Sequence, residues 1–131
     1  MSAWSNADRV REVYRLAMRA NHRELRLLIA DDATWDPARE GAWNPCVNAD
    51  QIVRTLLWRA GTNRMRPGEM LDVGDRVFVQ LRGRRLDRLG AKGFIPRLFQ
   101  VIVLRDGKVA SIRDYNRRED ALAAVGLGLG V

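Results

Sequence analysis

Leu98-Phe-Gln-Val-Ile-Val-Leu-Arg-Asp-Gly-Lys-Val-Ala-Ser-Ile-Arg-Asp-Tyr-Asn-Arg-Arg-Glu-Asp-Ala-Leu-Ala-Ala-Val-Gly126 reads as an apolar strand, a two-residue turn, an alternating strand and a short helix. Asp106-Gly107 supplies two residues that tolerate positive φ, the requirement of a type I′ turn. The flanking strands therefore predict an antiparallel hairpin in fixed register. Strict alternation puts Ala110, Ile112, Asp114 and Asn116 on one face of the second strand, and Val109, Ser111, Arg113 and Tyr115 on the other. Asp114 thus shares a face with apolar residues. A carboxylate on such a face is costly unless it is paired or put to chemical use.

Working outward, Ser5 followed by Asp8 forms a capping-box pattern before Val10, Val13, Tyr14 and Ala17, which predicts a helix over about Asn6 to Ala20. A shorter helix, about Arg23 to Ala30, is followed by a brief strand, Ala33 to Asp36, which Pro37 stops. An irregular loop to Val47 carries Trp43, expected to pack on the core. Asn48 with Gln51 opens a third helix whose stripe is Ile52, Val53, Leu56, Leu57 and Ala60, with Gly61 as its stop. Strands are then predicted over Glu69 to Val73, Arg76 to Arg82, Arg84 to Leu89, Arg97 to Leu104 and Val109 to Asn116. A closing helix spans Arg118 to Val125. Gly126-Leu-Gly-Leu-Gly130 follows that helix and opens none, so residues 127–131 read as a frayed tail and not as a nucleotide loop. Helices first and strands after argue for an α+β class: N-terminal helices packed in a strongly curved antiparallel sheet, forming a cone with a central pocket.

The 131 residues, 47% of them hydrophobic, suit one domain spanning 1–131 with one core. No apolar run approaches the ~20 residues of a membrane span, and Met1-Ser-Ala-Trp-Ser-Asn lacks the features of a signal peptide, so a cytoplasmic location is expected. Cys46 is the single cysteine and His22 the single histidine, which sets aside internal disulfides and multi-imidazole metal sites. No metal or cofactor is expected. The net charge of +7 raises the question of a nucleic-acid partner. Against it, the basic residues are nearly all arginine and are spread along the chain. Arg11, Arg15 and Arg19, spaced by four on the first helix, read as a solvated face.

The element order, with Ala30-Asp-Asp-Ala-Thr-Trp-Asp-Pro37 after two helices and Arg105-Asp-Gly-Lys-Val-Ala-Ser-Ile-Arg-Asp-Tyr115 near the end, resembles the nuclear transport factor two-like superfamily. More narrowly it resembles the SnoaL-like branch of polyketide cyclases, ketosteroid isomerases and limonene epoxide hydrolases. The resemblance implies a cone that admits a hydrophobic small molecule, and commonly a homodimer. Against the ketosteroid isomerase pattern, Tyr14 matches the helix-one tyrosine and Asp36 approximates the base. The second oxyanion acid falls near Phe99, and no carboxyl residue lies between Lys92 and Arg105. Against the epoxide hydrolase pattern, Arg85-Leu-Asp87 and Ile112-Arg-Asp-Tyr115 look like the two catalytic strand motifs and name Arg85, Asp87 and Asp114. Trp35 and Asp36-Pro37 stand where the resemblance implies a water-positioning Tyr and Asn, and Asn44 is a candidate to replace them.

Two carboxylates flanking one guanidinium would let one Asp take a proton from water while the other donates to a leaving oxygen. On this reading Asp114, Asp87, Arg85, Tyr14 and Asp36 are catalytic, and Trp35, Trp58, Phe99, Ile112 and Asn116 line the pocket. Structural alternatives stand beside each role: Arg84 to Arg88 as a solvated hairpin end, Asp114 in an ion pair, Tyr14 and the aromatic residues as core, and Asp36 as a turn former. The favoured function is a cofactor-independent enzyme acting on an apolar ring-containing substrate, with epoxide hydrolysis its most concrete form. The alternatives are a non-catalytic binding protein for a hydrophobic small molecule and a basic interaction module.

Overall fold

Ser5 starts the first helix, α1 (Asn6–Met18), through a reciprocal cap. Its hydroxyl accepts from the Asp8 N–H at 3.0 Å, while the Asp8 carboxylate accepts from the Ser5 N–H at 3.1 Å. The structure, a computed structural model, describes residues 4–83, 86 and 98–128. After α1 come α2 (His22–Leu27), β1 (Ile29–Asp36) and α3 (Ala49–Leu56), the last capped by the Asn48 side chain on the Gln51 N–H at 2.9 Å. A π-helical turn (Leu57–Thr62) continues α3 past the expected stop at Gly61. Four strands follow: β2 (Arg66–Val73), β3 (Arg76–Arg82), β4 (Phe99–Arg105) and β5 (Lys108–Tyr115). The helix α4 (Arg118–Ala124) ends on Gly126 in a Schellman turn, with φ +83° at that glycine and the Leu127 N–H on the Leu122 carbonyl at 2.8 Å. The expected strand Arg84 to Leu89 lies largely outside the described residues.

The five strands form one open sheet in the order β1-β5-β4-β3-β2. The α+β class stands, but the sheet is mixed and not wholly antiparallel, because β1 joins β5 in parallel through Thr34↔Ser111, Trp35↔Ile112 and Asp36↔Arg113. That pairing lengthens β1. Ile29 and Ala30, expected at the end of α2, are drawn into the strand where Ile29 meets Val109, so tertiary pairing overrides helical periodicity. Asp106 and Gly107 have φ of 54° and 77°, as a type I′ turn demands.

Register shifts in β1/β5, β2/β3 and β4/β5 mark bulges, the devices by which a sheet curls. The one in β5 corrects the expected alternation. Leu104 pairs with Val109 and Val103 with Ser111, so Ala110 is the extra residue. Val109 consequently packs in the same cluster as Ile112 instead of on the opposite face.

The concave face of the sheet holds the main core, in which Val10, Val13, Tyr14 and Ala17 of α1 and Ile52, Val53 and Leu56 of α3 meet Trp35, Val79, Ile102 and Ile112. On the convex face Phe78, Phe99 and Val101 pack beneath Ala121 of α4 and Val125 just past its end. Gln100 and Asp114 are the buried polar residues among those described. Both sit on the concave face.

Candidate functional site

Asp114 pairs directly with Gln100 across β4/β5, so both side chains project from the same face into the cone. The Asp114 side chain is only 3% exposed, and it is met by three donors. Trp35 Nε1–H and Gln100 Nε2–H donate to Oδ1 at 2.9 and 3.0 Å, and Arg59 Nη1–H donates to Oδ2 at 2.9 Å. A carboxylate offers about four lone-pair sites. Three are spent, and Asp114 still lines a cavity of about 270 Å³ with Arg59, Asn116, Arg39, Trp43 and Leu98. The remaining acceptor site on Oδ2 is the one a cavity water or substrate proton can use.

Arg59 reaches Asp114 from the π-helical turn after α3. A wider turn of this kind re-aims side chains and is common at functional sites. The Arg59 guanidinium carbon lies 4.7 Å from the Trp35 ring and 5.2 Å from the Trp43 ring, which meet edge to face with centroids 6.0 Å apart. Two aromatic faces and one carboxylate fix the cation.

Tyr14 extends the network. Its hydroxyl donates to Gln100 Oε1 at 2.5 Å, so the chain Tyr14–Gln100–Asp114 runs from α1 across the sheet. Burial, reinforced by the Asp114 charge, raises the Tyr14 hydroxyl far above its ordinary value of about 10. Below that value the hydroxyl is protonated in folded and unfolded chains alike and adds no slope. Above it the unfolded chain loses the proton first, so stability falls by up to about 1.4 kcal/mol per pH unit. Alkaline denaturation of wild type and Tyr14→Phe checks this: the variant's stability should fall by one proton's slope less above about pH 10. Equal slopes would show that Tyr14 titrates as an ordinary exposed phenol.

The sequence-predicted residues separate into two groups. Tyr14, Trp35, Ile112 and Asp114 come together on the concave face, and Asn116 lines the adjoining cavity. Asp36, the neighbour of Trp35 on β1, turns the opposite way by strand alternation and is exposed. It lines a separate cleft of about 580 Å³ with Glu40, Asn44 and Arg113, so it does not join Tyr14. Phe99 stacks on Phe78 on the convex face at 5.8 Å. Trp58 is 58% exposed and borders a third, smaller hollow with Met65 and Leu86. Arg85 and Asp87 lie outside the described residues.

Gln100 and Arg59 are absent from the sequence-predicted set. Both left a signal. Gln100 interrupts the apolar run Phe99 to Leu104, and Arg59 falls seven residues after Ile52, on the inner stripe of the third helix. Among the described residues no group of three or more His, Cys, Asp and Glu could hold a metal ion, and no helix is long and apolar enough to cross a membrane.

No family model matches the sequence, and no curated protein matches it. Solved structures do match in fold. An NTF2-like protein of unknown function from Mesorhizobium loti superposes with TM-score 0.65 at 15% identity, over 86% of this chain and 90% of that one. A candidate polyketide cyclase from Sinorhizobium meliloti gives 0.59 at 19%, over 85% and 99%. An LEH-like epoxide hydrolase of M. tuberculosis gives 0.56 at 15%, over 95% and 92%. At these identities the likeness is one of fold.

Proposed function

Because this chain has the NTF2-like α+β cone fold, we propose that it is a small-molecule enzyme using Asp114 for acid–base chemistry on a ring-containing substrate. Isomerase and cyclase reactions of the SnoaL-like type belong to the same reading, and epoxide hydrolysis is its most concrete form. One observation carries the proposal: a buried carboxylate, positioned by three donors, keeps an unspent acceptor site on the wall of a cavity. In an epoxide hydrolysis Asp114 Oδ2 takes a proton from water as the water oxygen attacks a ring carbon. The opening C–O bond leaves its electron pair on oxygen, which receives a proton from an acid, the role proposed for Asp87 of the Arg85-Leu-Asp87 motif. Trp35 and Gln100 act as positioning residues, since in this scheme each acts through its hydrogen bond to Asp114 and not on the reacting atoms. A homodimer and a cytoplasmic location are part of the proposal.

The test is turnover by the Asp114→Asn protein against a panel of cyclic epoxides that the wild type binds. Loss of a general base predicts a fall of about 10²- to 10⁴-fold in kcat with binding retained. Undiminished turnover in the variant would remove Asp114 from the chemistry.

A second reading, a non-catalytic binding protein for a small molecule, is favoured by a different observation: the cavity beside Asp114 lies below the ~300–1,000 Å³ of common ligand pockets, and the acid is almost fully occupied by its neighbours. Binding without turnover by the wild type would select it. The basic-module alternative is disfavoured, because many arginines are engaged on the surface. Arg11 pairs with Asp8, Arg15 with Glu12, Arg26 with Asp31 and Asp50, Arg105 with Asp32, and Arg118 with Glu69.

A further inference from the structure

We infer that the molecule accepted beside Asp114 is a small organic anion, a compact ring bearing a carboxylate, and that Arg39 selects it. The inference rests on the proposed use of the Asp114 cavity as the substrate site, and it names the class of substrate. Among the described residues the charged lining consists of two guanidiniums, Arg39 and Arg59, and one carboxylate, Asp114. Arg59 already balances Asp114. Arg39 is left over: it is exposed, and no ion pair or side-chain hydrogen bond engages it among the described residues.

The cavity is therefore polarised. The buried part of the lining is a matched ion pair with no net charge, whereas the exposed part carries an unmatched cation, Arg39, and Asn116. Trp43 and Leu98 add apolar lining. A ring of modest size can lie against Trp43 with its carboxylate toward Arg39, whose planar fork suits two carboxylate oxygens. Trp43 is shared with the cleft lined by Asp36 and Glu40, and neither of those acidic residues lines the Asp114 cavity. Neutral ligands of the same shape leave Arg39 without a partner and gain nothing from it.

Benzoate and its neutral isostere benzamide are the probes, with binding to the full chain followed by calorimetry and tryptophan fluorescence. Wild type should bind benzoate about ten-fold more tightly than benzamide, with the preference shrinking as salt is added. Arg39→Gln should erase most of that preference and Arg39→Lys should keep part of it. Equal affinity for the two probes, no saturable binding of benzoate, or a preference that survives Arg39→Gln overturns the inference. Failure here is distinguishable from failure of the enzymatic reading: loss of turnover in Asp114→Asn together with indifference to ligand charge would keep the acid–base site and discard only the anionic substrate.

Discussion

Asp114→Ala should destabilise the protein by about 3–5 kcal/mol, the range seen when one partner of a buried ion pair is removed. Truncation leaves the Trp35 indole N–H, the Gln100 amide and the Arg59 guanidinium without their shared acceptor, on a face where Asp114 itself was 2% exposed. Each loses its partner without regaining full hydration, and the Arg59 charge costs the most. For a chain of this size the loss corresponds to a fall in Tm on the order of 10–20 °C, readable by calorimetry. A fall of under about 3 °C would mean that the cone holds together without its polar centre. Asp114→Asn should lie between, because one amide oxygen can still accept from Trp35 and Gln100 while the amide N–H₂ faces the Arg59 donor.

Arg59→Met should cost a similar amount, about 3–5 kcal/mol, for the complementary reason. The methionine stem can occupy part of the slot between Trp35 and Trp43, so packing is largely kept and the lost term is the countercharge of a buried carboxylate. Pairing the two changes separates charge from shape. The double variant Arg59→Met with Asp114→Asn removes both charges and should be more stable than the sum of the single effects allows, by about 1–3 kcal/mol. Simple additivity in chemical denaturation would show that Arg59 and Asp114 are near neighbours without being energetically coupled.

Much of this arrangement is legible in the sequence where local chemistry decides it. Asp106-Gly107 can hardly form anything but a tight turn with two positive φ angles, and Ser5 with Asp8 caps a helix by chemistry that needs no distant partner. Asp114 announces itself as a carboxylate on an apolar face. Its partners do not, since Trp35, Gln100 and Arg59 come from three elements whose meeting depends on topology. The parallel union of β1 with β5 likewise leaves no local mark, because pairing partners are not written into a strand's own pattern. Arg59 lies on the inner stripe even of an unbroken helix, seven residues after Ile52; what leaves no local mark is the π-helical turn from which it reaches Asp114. Asp36 and Phe99 show the opposite error: each is a residue of suitable chemistry whose direction is set by its neighbour, Trp35 in one case and Gln100 in the other.

The extra residue at Ala110 also determines how the β4–β5 hairpin can change length. With it in place, the tip and the base of β5 both turn their apolar residues toward the helices, Val109 at one end and Ile112 at the other. Because the bulge holds Ala110 outside the pairing, deleting that one residue would leave Val109 next to Ser111 in regular alternation, still on the face of Ile112 and Asp114. The hairpin can therefore lose its extra residue without turning its tip, while the acid at the far end of the strand remains aimed into the cone.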